Sequence, residues 1–389
     1  MQIAVIAAFV ASVASVVDAW GSLGHSVTGT IAQKYLNSNA VNMVANLVES
    51  KYAGSLAGDT ANWADTNGRT LIKESAEWHY VDMMAAVPKS CGYVQSDCVG
   101  RTCIIAAITD QTKILLDAKC AKSTATTQAV QFLAHFLGDI TQPLHNCNRD
   151  RGGNDAKLTY NGQQSNFHKI HDTNIPVSFA TENGLSGTDA AGLAKLVDSK
   201  YASKMSTYTS ATFIDLQSVD SANNLLGAIA MASDANALDC NKNAFWGLYD
   251  QNPNQDFSGA YYDATKDFLI EQIAKGGYRS AAWMNAIANA CAGTTPEPSP
   301  SKTTVTSAKT ATTTVKPITT TSSTKTKTTT SSTKAAAKCA HSECVAGAKL
   351  ASTCSACAGL VSKQDSYCTA TSWDDICVDL AVQVCGIQC

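Results

Sequence analysis

The sequence predicts an all-α body followed by a small cysteine-rich module, and three observations carry that expectation. Apolar residues recur at helical spacing through residues 20–292, as in Val27, Ile31, Ala32, Tyr35 and Leu36, or Val130, Leu133, Ala134 and Leu137. Alternating strand patterns are scarce over the same stretch. Eight cysteines (339, 344, 354, 357, 368, 377, 385 and 389) crowd into the last 51 residues, a density that suits a small domain held by disulfides rather than by a large core.

Taken in order, residues 1–19, MQIAVIAAFVASVASVVDA, form an apolar run that ends in small side chains at Val17 and Ala19. That pattern reads as a cleavable secretion signal, and cleavage after Ala19 makes Trp20 the first mature residue. Fifteen cysteines behind such a leader point to disulfides in an oxidising, extracellular compartment. No second apolar stretch is long enough to span a bilayer, so no membrane association is expected. Residues 20–292 form the main domain.

Residues 293–338 are Thr/Ser/Lys/Pro-rich and hold too few apolar side chains for a core, so they read as an extended linker. Residues 339–389 read as an accessory module whose four bridges spacing alone cannot assign among 105 pairings. Its Cys354-x-x-Cys357 also admits a zinc site, against which secretion argues. The linker carries seven lysines against Glu297, or +6, and the module −3. A whole-chain charge of −3 therefore leaves −6 on residues 1–292. An acidic body argues against a broad phosphate-binding footprint. It is compatible with phosphodiester chemistry at a metal site, because the ions themselves supply positive charge.

Six of the seven histidines lie between residues 25 and 171. In HFLGDITQPLH (135–145), His135 and Asp139 are four residues apart on a helix and share a face. Pro143 should end that helix and turn His145 toward the same site. In NFHKIHDTN (166–174), His168 and Asp172 repeat the spacing. Imidazoles and carboxylates are good zinc ligands, and helical folds build metal sites from side chains that face inward on neighbouring helices. His25, Asp65 in NWADTNGR and His79 in EWHYVD are further candidates.

Together WGSLGH, WAD, WHYVD, HFLGDITQPLH, RGGN, FHKIHDT, ASDANALDC and IAKGGYR resemble the S1/P1 family of secreted zinc-dependent single-strand nucleases over essentially all of 20–292. The resemblance implies a compact multi-helix fold of the phospholipase C/P1 nuclease kind with three zinc ions in a cleft. It implies one zinc held by Asp65, His79, His135 and Asp139, and a neighbour held by His145, His168 and Asp172. A third would take the Trp20 α-amino nitrogen and carbonyl oxygen, His25 and Asp139. A paired-metal site lowers the pKa of a shared water, which makes a nucleophile available near neutral pH. Because an amine binds metal only when free and deprotonated, leader removal is expected to be an activation step.

The resemblance further implies that Tyr80 stacks on a nucleobase and Asp82 hydrogen-bonds it, with Asn154 of RGGN also contacting substrate. Stacking needs an unpaired base, which gives a physical basis for single-strand preference. Arg69 lies near the place of a phosphate-contacting arginine of the family and is expected to be catalytic together with Asp65, although ADTNGR is one residue longer than the expected spacing. His171 stands where the family has tryptophan and is expected at the surface. Arg149 and Arg151 are expected near the base pocket. Disulfides Cys91–Cys240 and Cys98–Cys103 are implied, which leaves Cys120, Cys147 and Cys291, one of them free, paired outside the domain or intruding on zinc.

The expected function is secreted endonucleolytic hydrolysis of single-stranded DNA and RNA to 5′-phosphorylated products, with 3′-nucleotidase activity besides, by a monomer. A zinc phospholipase C should instead show an apolar acyl-facing rim, and a non-catalytic binding protein should have lost ligands. Residues 339–389 are expected to bind a cell-wall polysaccharide or another surface.

Overall fold

The computed structural model describes residues 20–293 without a break and, further on, 339–345, 347–364, 367–370, 372, 373, 377, 378, 381 and 385. The expected leader and nearly all of the expected linker lie outside the described residues. By contacts the chain separates into Met1–Thr304 and Val305–Cys389.

A glycine pair sets the layout of the first unit. The helix Ala260–Cys291 has 32 residues, so it runs about 48 Å and serves as the spine. At Gly277 a Cβ would stand 2.6 Å from the Ile31 side chain, and at Gly276 3.0 Å from the Thr141 hydroxyl. Only glycine lets the first helix, Ser22–Lys34, cross the spine this closely. One end of the spine contributes Trp283, Met284 and Ile287 to a core shared with Ile104–Asp117 and Thr124–Asp139. Its other end contributes Tyr261, Ile270 and Ile273 to a second core with Trp20, Phe167 and Trp246. The helix Thr124–Asp139 begins with a reciprocal cap: the Ser123 hydroxyl accepts from the Thr126 amide (3.1 Å), and the Ser123 amide donates to the Thr126 hydroxyl (2.9 Å).

The sheet in this unit is one antiparallel hairpin, Lys157–Tyr160 with Gln163–Asn166, turned by Asn161 and Gly162 at φ 51° and 70°. Asn166 closes it and at once caps the next helix, its side-chain oxygen accepting from the Lys169 amide at 2.7 Å. That cap starts the segment carrying His168 and Asp172. Disulfides join Cys91 to Cys240, Cys98 to Cys103 and Cys120 to Cys291. The last spans 171 residues and pins the end of the spine beside the helix Ile104–Asp117, a constraint worth about 5 kcal/mol at most on chain-entropy grounds.

In the second unit Cys339 pairs with Cys354, Cys357 with Cys385 and Cys368 with Cys377, and Cys344 is also disulfide-bonded. Trp373, Leu350, Ala358 and Val361 are buried among these bridges. Cys354 and Cys357 go to different partners, so the zinc reading of that CxxC is corrected: both sulfurs are spent in disulfides.

Candidate active site

Two clusters of buried imidazoles and carboxylates occupy the first unit. On the helix Thr124–Asp139, His135 Nε2 lies 3.1 Å from Asp139 Oδ2, one turn on. His79 Nδ1 reaches the same point, 3.0 Å from Asp139 Oδ2 and 3.1 Å from His135 Nε2. His25, from the first helix, places Nε2 3.0 Å from Asp139 Oδ1 and stacks on His135. Asp65 closes the group, its two oxygens 3.6 Å from His79 Nδ1 and from His135 Nε2. The second cluster is His145, His168 and Asp172, with His168 Nε2 2.9 Å from Asp172 Oδ2. The helix ends at Asp139, and Pro143 begins a short 3₁₀ turn, Pro143–Asn146, that presents His145.

The donor set fits bound cations. His25 Nδ1 and Nε2, Asp139 Oδ1, His145 Nε2 and His168 Nε2 are buried without a hydrogen-bond partner. Several lie near 3 Å from one another, yet at angles no hydrogen bond tolerates. Each such orphan costs about 1–3 kcal/mol, a cost that a cation shared among them removes. In each of three groups, His25–Asp65–His135 and His79–His135–Asp139, which share His135, and the separate His145–His168–Asp172, the side-chain donor atoms lie within 4.8 Å of one another.

The outer hydrogen bonds orient these ligands. His135 Nδ1 donates to the Ala61 carbonyl (2.6 Å), His145 Nδ1 to that of His79 (2.7 Å) and His168 Nδ1 to that of Gly152 (2.6 Å). Each bond places a proton on Nδ1 and turns Nε2 toward the cluster. Gln142 holds Asp172, its amide nitrogen 2.6 Å from Oδ1. Burial lowers His25, His79 and His145, His79 to about 4, so these imidazoles are neutral at pH 7 and free to bind a cation. Burial also opposes charge on His135, but the Asp139 and Asp65 carboxylates prevail and raise it to about 9. His135 thus holds a proton where a bound cation would supply the charge.

Trp20 is fully buried, and its indole donates to the Gly138 carbonyl at 2.9 Å, the residue before Asp139. The Gly21 amide, in the same peptide unit as the Trp20 carbonyl, donates to the Asp172 carbonyl at 2.9 Å. Trp20 is thereby anchored to segments of both clusters.

ADTNGR forms a π-helical turn, Ala64–Gly68, in which the Arg69 amide donates to the Ala64 carbonyl five residues back, so a stretch longer than the expected spacing still brings Arg69 to the site. Arg69 then reaches the cluster, Nη2 2.8 Å from Asp65 Oδ1 and Nε 3.3 Å from His79 Nε2. Ile170–Asn174 is a second π-turn and aims Asp172 inward. The same turn sends His171 the other way. His171 was expected at the surface and is instead fully buried, its Nδ1 donating to the Phe167 carbonyl (2.7 Å) and its Nε2 accepting from the Tyr261 hydroxyl (2.9 Å). Burial lowers it to about 4, so it is a neutral core residue.

Beside the second cluster opens a pocket, its wall formed by Tyr80, Asp82, Cys147, Asn148, Arg151 and Asn154, with His168 at the side that faces the cluster. Partial burial raises the Asp82 carboxyl, and Arg151 opposes that rise. Arg149 lies elsewhere: its guanidinium stacks on Trp246 at 4.1 Å and pairs with both Asp250 oxygens at 2.9 and 2.6 Å. Among the described residues Cys147 is the free thiol, buried, and in none of the three groups. Asp150, Arg151, Gly152 and Gly153 all have positive φ (48°, 54°, 62° and 83°), a left-handed turn that costs about 1–2 kcal/mol at each non-glycine position. The turn puts Arg151 and Asn154 on the pocket wall and the Gly152 carbonyl against His168. Gln142 and Gly152 draw no attention in the sequence, although each lies inside one of its motifs, and Asn148 falls between the two.

Among the described residues no helix is long and apolar enough to cross a membrane. Residues 20–289 match the S1/P1 nuclease family, and residues 337–389 match a domain of unknown function, DUF8252. The chain is 35% identical to nuclease S1 of Aspergillus oryzae over 286 residues, covering 73% of this chain and 97% of that protein. It is 34% identical to nuclease P1 of Penicillium citrinum over 270 residues, 69% and 97% respectively. Similarity extends to endonuclease 2 of Arabidopsis thaliana at 26% over 289 residues, 70% and 91%. The family match covers every residue of both clusters and of the pocket wall, and the chain is a hydrolytic nuclease that belongs to the S1/P1 nuclease family.

Proposed function

We propose that the protein is a secreted, zinc-dependent endonuclease that hydrolyses single-stranded DNA and RNA to 5′-phosphorylated products and removes 3′-phosphates from nucleotides. The observation that carries this reading is the set of buried, unpartnered imidazole and carboxylate atoms beside a pocket with an aromatic wall. Asp65, His79, His135 and Asp139 would hold one zinc, and His145, His168 and Asp172 a second. The Trp20 backbone, His25 and Asp139 would hold the third. Bound zinc supplies Lewis acidity and a lowered water pKa.

The chain's own residues do the rest. The guanidinium of Arg69, held 2.8 Å from Asp65, is positioned to bind a phosphate oxygen through the N–H groups that Asp65 and His79 leave free. Tyr80, half-buried, offers a face on which an unpaired base stacks, while Asp82 and Asn154 offer hydrogen-bonding groups at its edge. A base paired in a duplex has neither its face nor its edge free, which gives the single-strand preference. The polar wall also disfavours a phospholipase C reading, since acyl chains need apolar contacts. Residues 1–19 would be the signal peptide, 20–292 the catalytic domain, 293–338 the linker and 339–389 an accessory module that tethers the enzyme to a polysaccharide or another surface. Removal of 1–19 would free the Trp20 amine for zinc.

The test is hydrolysis of matched single-stranded and duplex DNA by secreted 20–389 protein, before chelation, after it, and after zinc is restored. Zinc-restored cleavage that favours the single strand is expected. A zinc-loaded protein that cleaves neither strand form refutes the proposal.

A further inference from the structure

We propose that Arg151, acting with Asp82, makes the pocket selective for guanine; the inference rests on the pocket being the nucleobase site. Two charged groups of opposite sign share this wall. Asp82 is an acceptor only when ionised, and its carboxylate makes no hydrogen bond or ion pair with any described residue. Arg151 is a donor only. It spends one nitrogen on Asp155, with Nη1 3.1 Å from Oδ1, and its other N–H groups remain for a ligand. Its backbone sits in the left-handed turn whose Gly152 carbonyl holds His168, so the guanidinium is mounted on the same rigid element as a metal ligand.

Such a wall reads a base edge that presents donors to the carboxylate and an acceptor to the guanidinium. Guanine has two adjacent donors, N1–H and the 2-amino group, which one carboxylate accepts together. Its O6 and N7 then accept from an arginine, the pairing arginine makes most often with any base. Adenine and cytosine bring a single amino group. Uracil and thymine bring one N–H flanked by two carbonyl oxygens that the carboxylate repels. Asn148 and Asn154 add amide groups of either polarity and so do not by themselves choose among bases.

The experiment measures kcat/KM on GpG, ApA, CpC and UpU with the zinc-loaded enzyme, Arg151→Ala and Arg151→Lys, with binding of the four nucleoside 5′-monophosphates as a second readout. The intact enzyme should prefer GpG over UpU about tenfold or more. R151A should lower that ratio by a similar factor, and R151K should fall between. The monophosphates should follow the same order even where turnover is too slow to measure. Equal rates on all four substrates, or a uniform loss in R151A, overturn guanine selectivity while leaving the nuclease reading intact. Cleavage of none of the four by the intact zinc-loaded enzyme brings down the underlying reading.

Discussion

Replacing Gly152 by alanine separates the orientation of a metal ligand from the metal ligand itself. Gly152 has φ +62°, and an added Cβ would stand 2.7 Å from the Leu144 carbonyl oxygen, 3.5 Å from that of Cys147 and 3.4 Å from His168 Nδ1. The nearest obstacle is backbone of the 3₁₀ turn that also carries His145, so Gly152 rather than its neighbour must shift. Its carbonyl is the acceptor for His168 Nδ1 at 2.6 Å, and losing that bond frees the ring to rotate or change tautomer. Loss of such a partner weakens metal binding about 10- to 100-fold, or about 1.4–2.7 kcal/mol. Left-handed strain adds about 1–2 kcal/mol of global destabilisation, or about 2–8 °C in Tm. Gly162→Ala is the control, because its φ of +70° carries the same strain while nothing lies within 4 Å of the new Cβ. Zinc affinity is read by chelator competition, stoichiometry by metal analysis, and Tm on the metal-free proteins. Both variants should melt lower, and only G152A should bind one zinc more weakly, with activity recovering as zinc is raised. Indistinguishable zinc affinities would refute the claim that the Gly152 carbonyl orients His168.

Asp234 pairs with Lys275 and with the buried Arg279, each at 2.8 Å. Burial opposes ionisation of Asp234, but the two cations prevail and hold its carboxyl below the usual 3.8. A folded pKa below the unfolded one gives stability that is complete above about pH 4 and is lost as pH falls through the folded value. Asp234→Asn should therefore cost about 3 kcal/mol at pH 7, mostly from stranding Arg279, with the gap closing as acid protonates the wild-type carboxyl. A gap equally wide at pH 7 and at about pH 2 would contradict that linkage. Cys147 is buried, and burial pushes its thiol pKa up, so native protein should not react with a thiol reagent. With fifteen cysteines, one equivalent should appear on denaturation, and an equivalent already reactive in native protein would place the thiol at the surface instead.

What could be read from the sequence was local. His135 with Asp139, and His168 with Asp172, are four-residue spacings, and helical geometry alone puts each pair on one face. The helical character of 20–292 came from the same periodicity, summed over many turns. What escaped it was long-range or depended on departures from the α-helical period. The Cys120–Cys291 bridge joins residues 171 positions apart, a closure no pattern announces. His171 looked like a surface residue because α-helical spacing does not rule it out. The π-turn at Ile170–Asn174 instead points it into the aromatic core while its neighbour Asp172 enters the cluster. The spacing before Arg69 looked one residue too long, and a π-turn nonetheless brings Arg69 beside Asp65.

The same division runs through the site. Metal ligands are uncommon residue types that must recur at fixed spacing, so they stand out in a bare sequence. The groups that orient them here are the carbonyls of Ala61, His79 and Gly152, an atom every residue possesses. A carbonyl leaves no mark in the sequence unless its backbone demands a special residue, and Gly152 is the one of the three whose conformation does. The glycines of RGGN are therefore where the hidden half of the site surfaces in the sequence. One left-handed turn holds His168 with its backbone and presents Arg151 and Asn154 to the pocket with its side chains, so the pocket wall and the orientation of His168 are built on one short stretch and should respond together to a change in that turn's backbone.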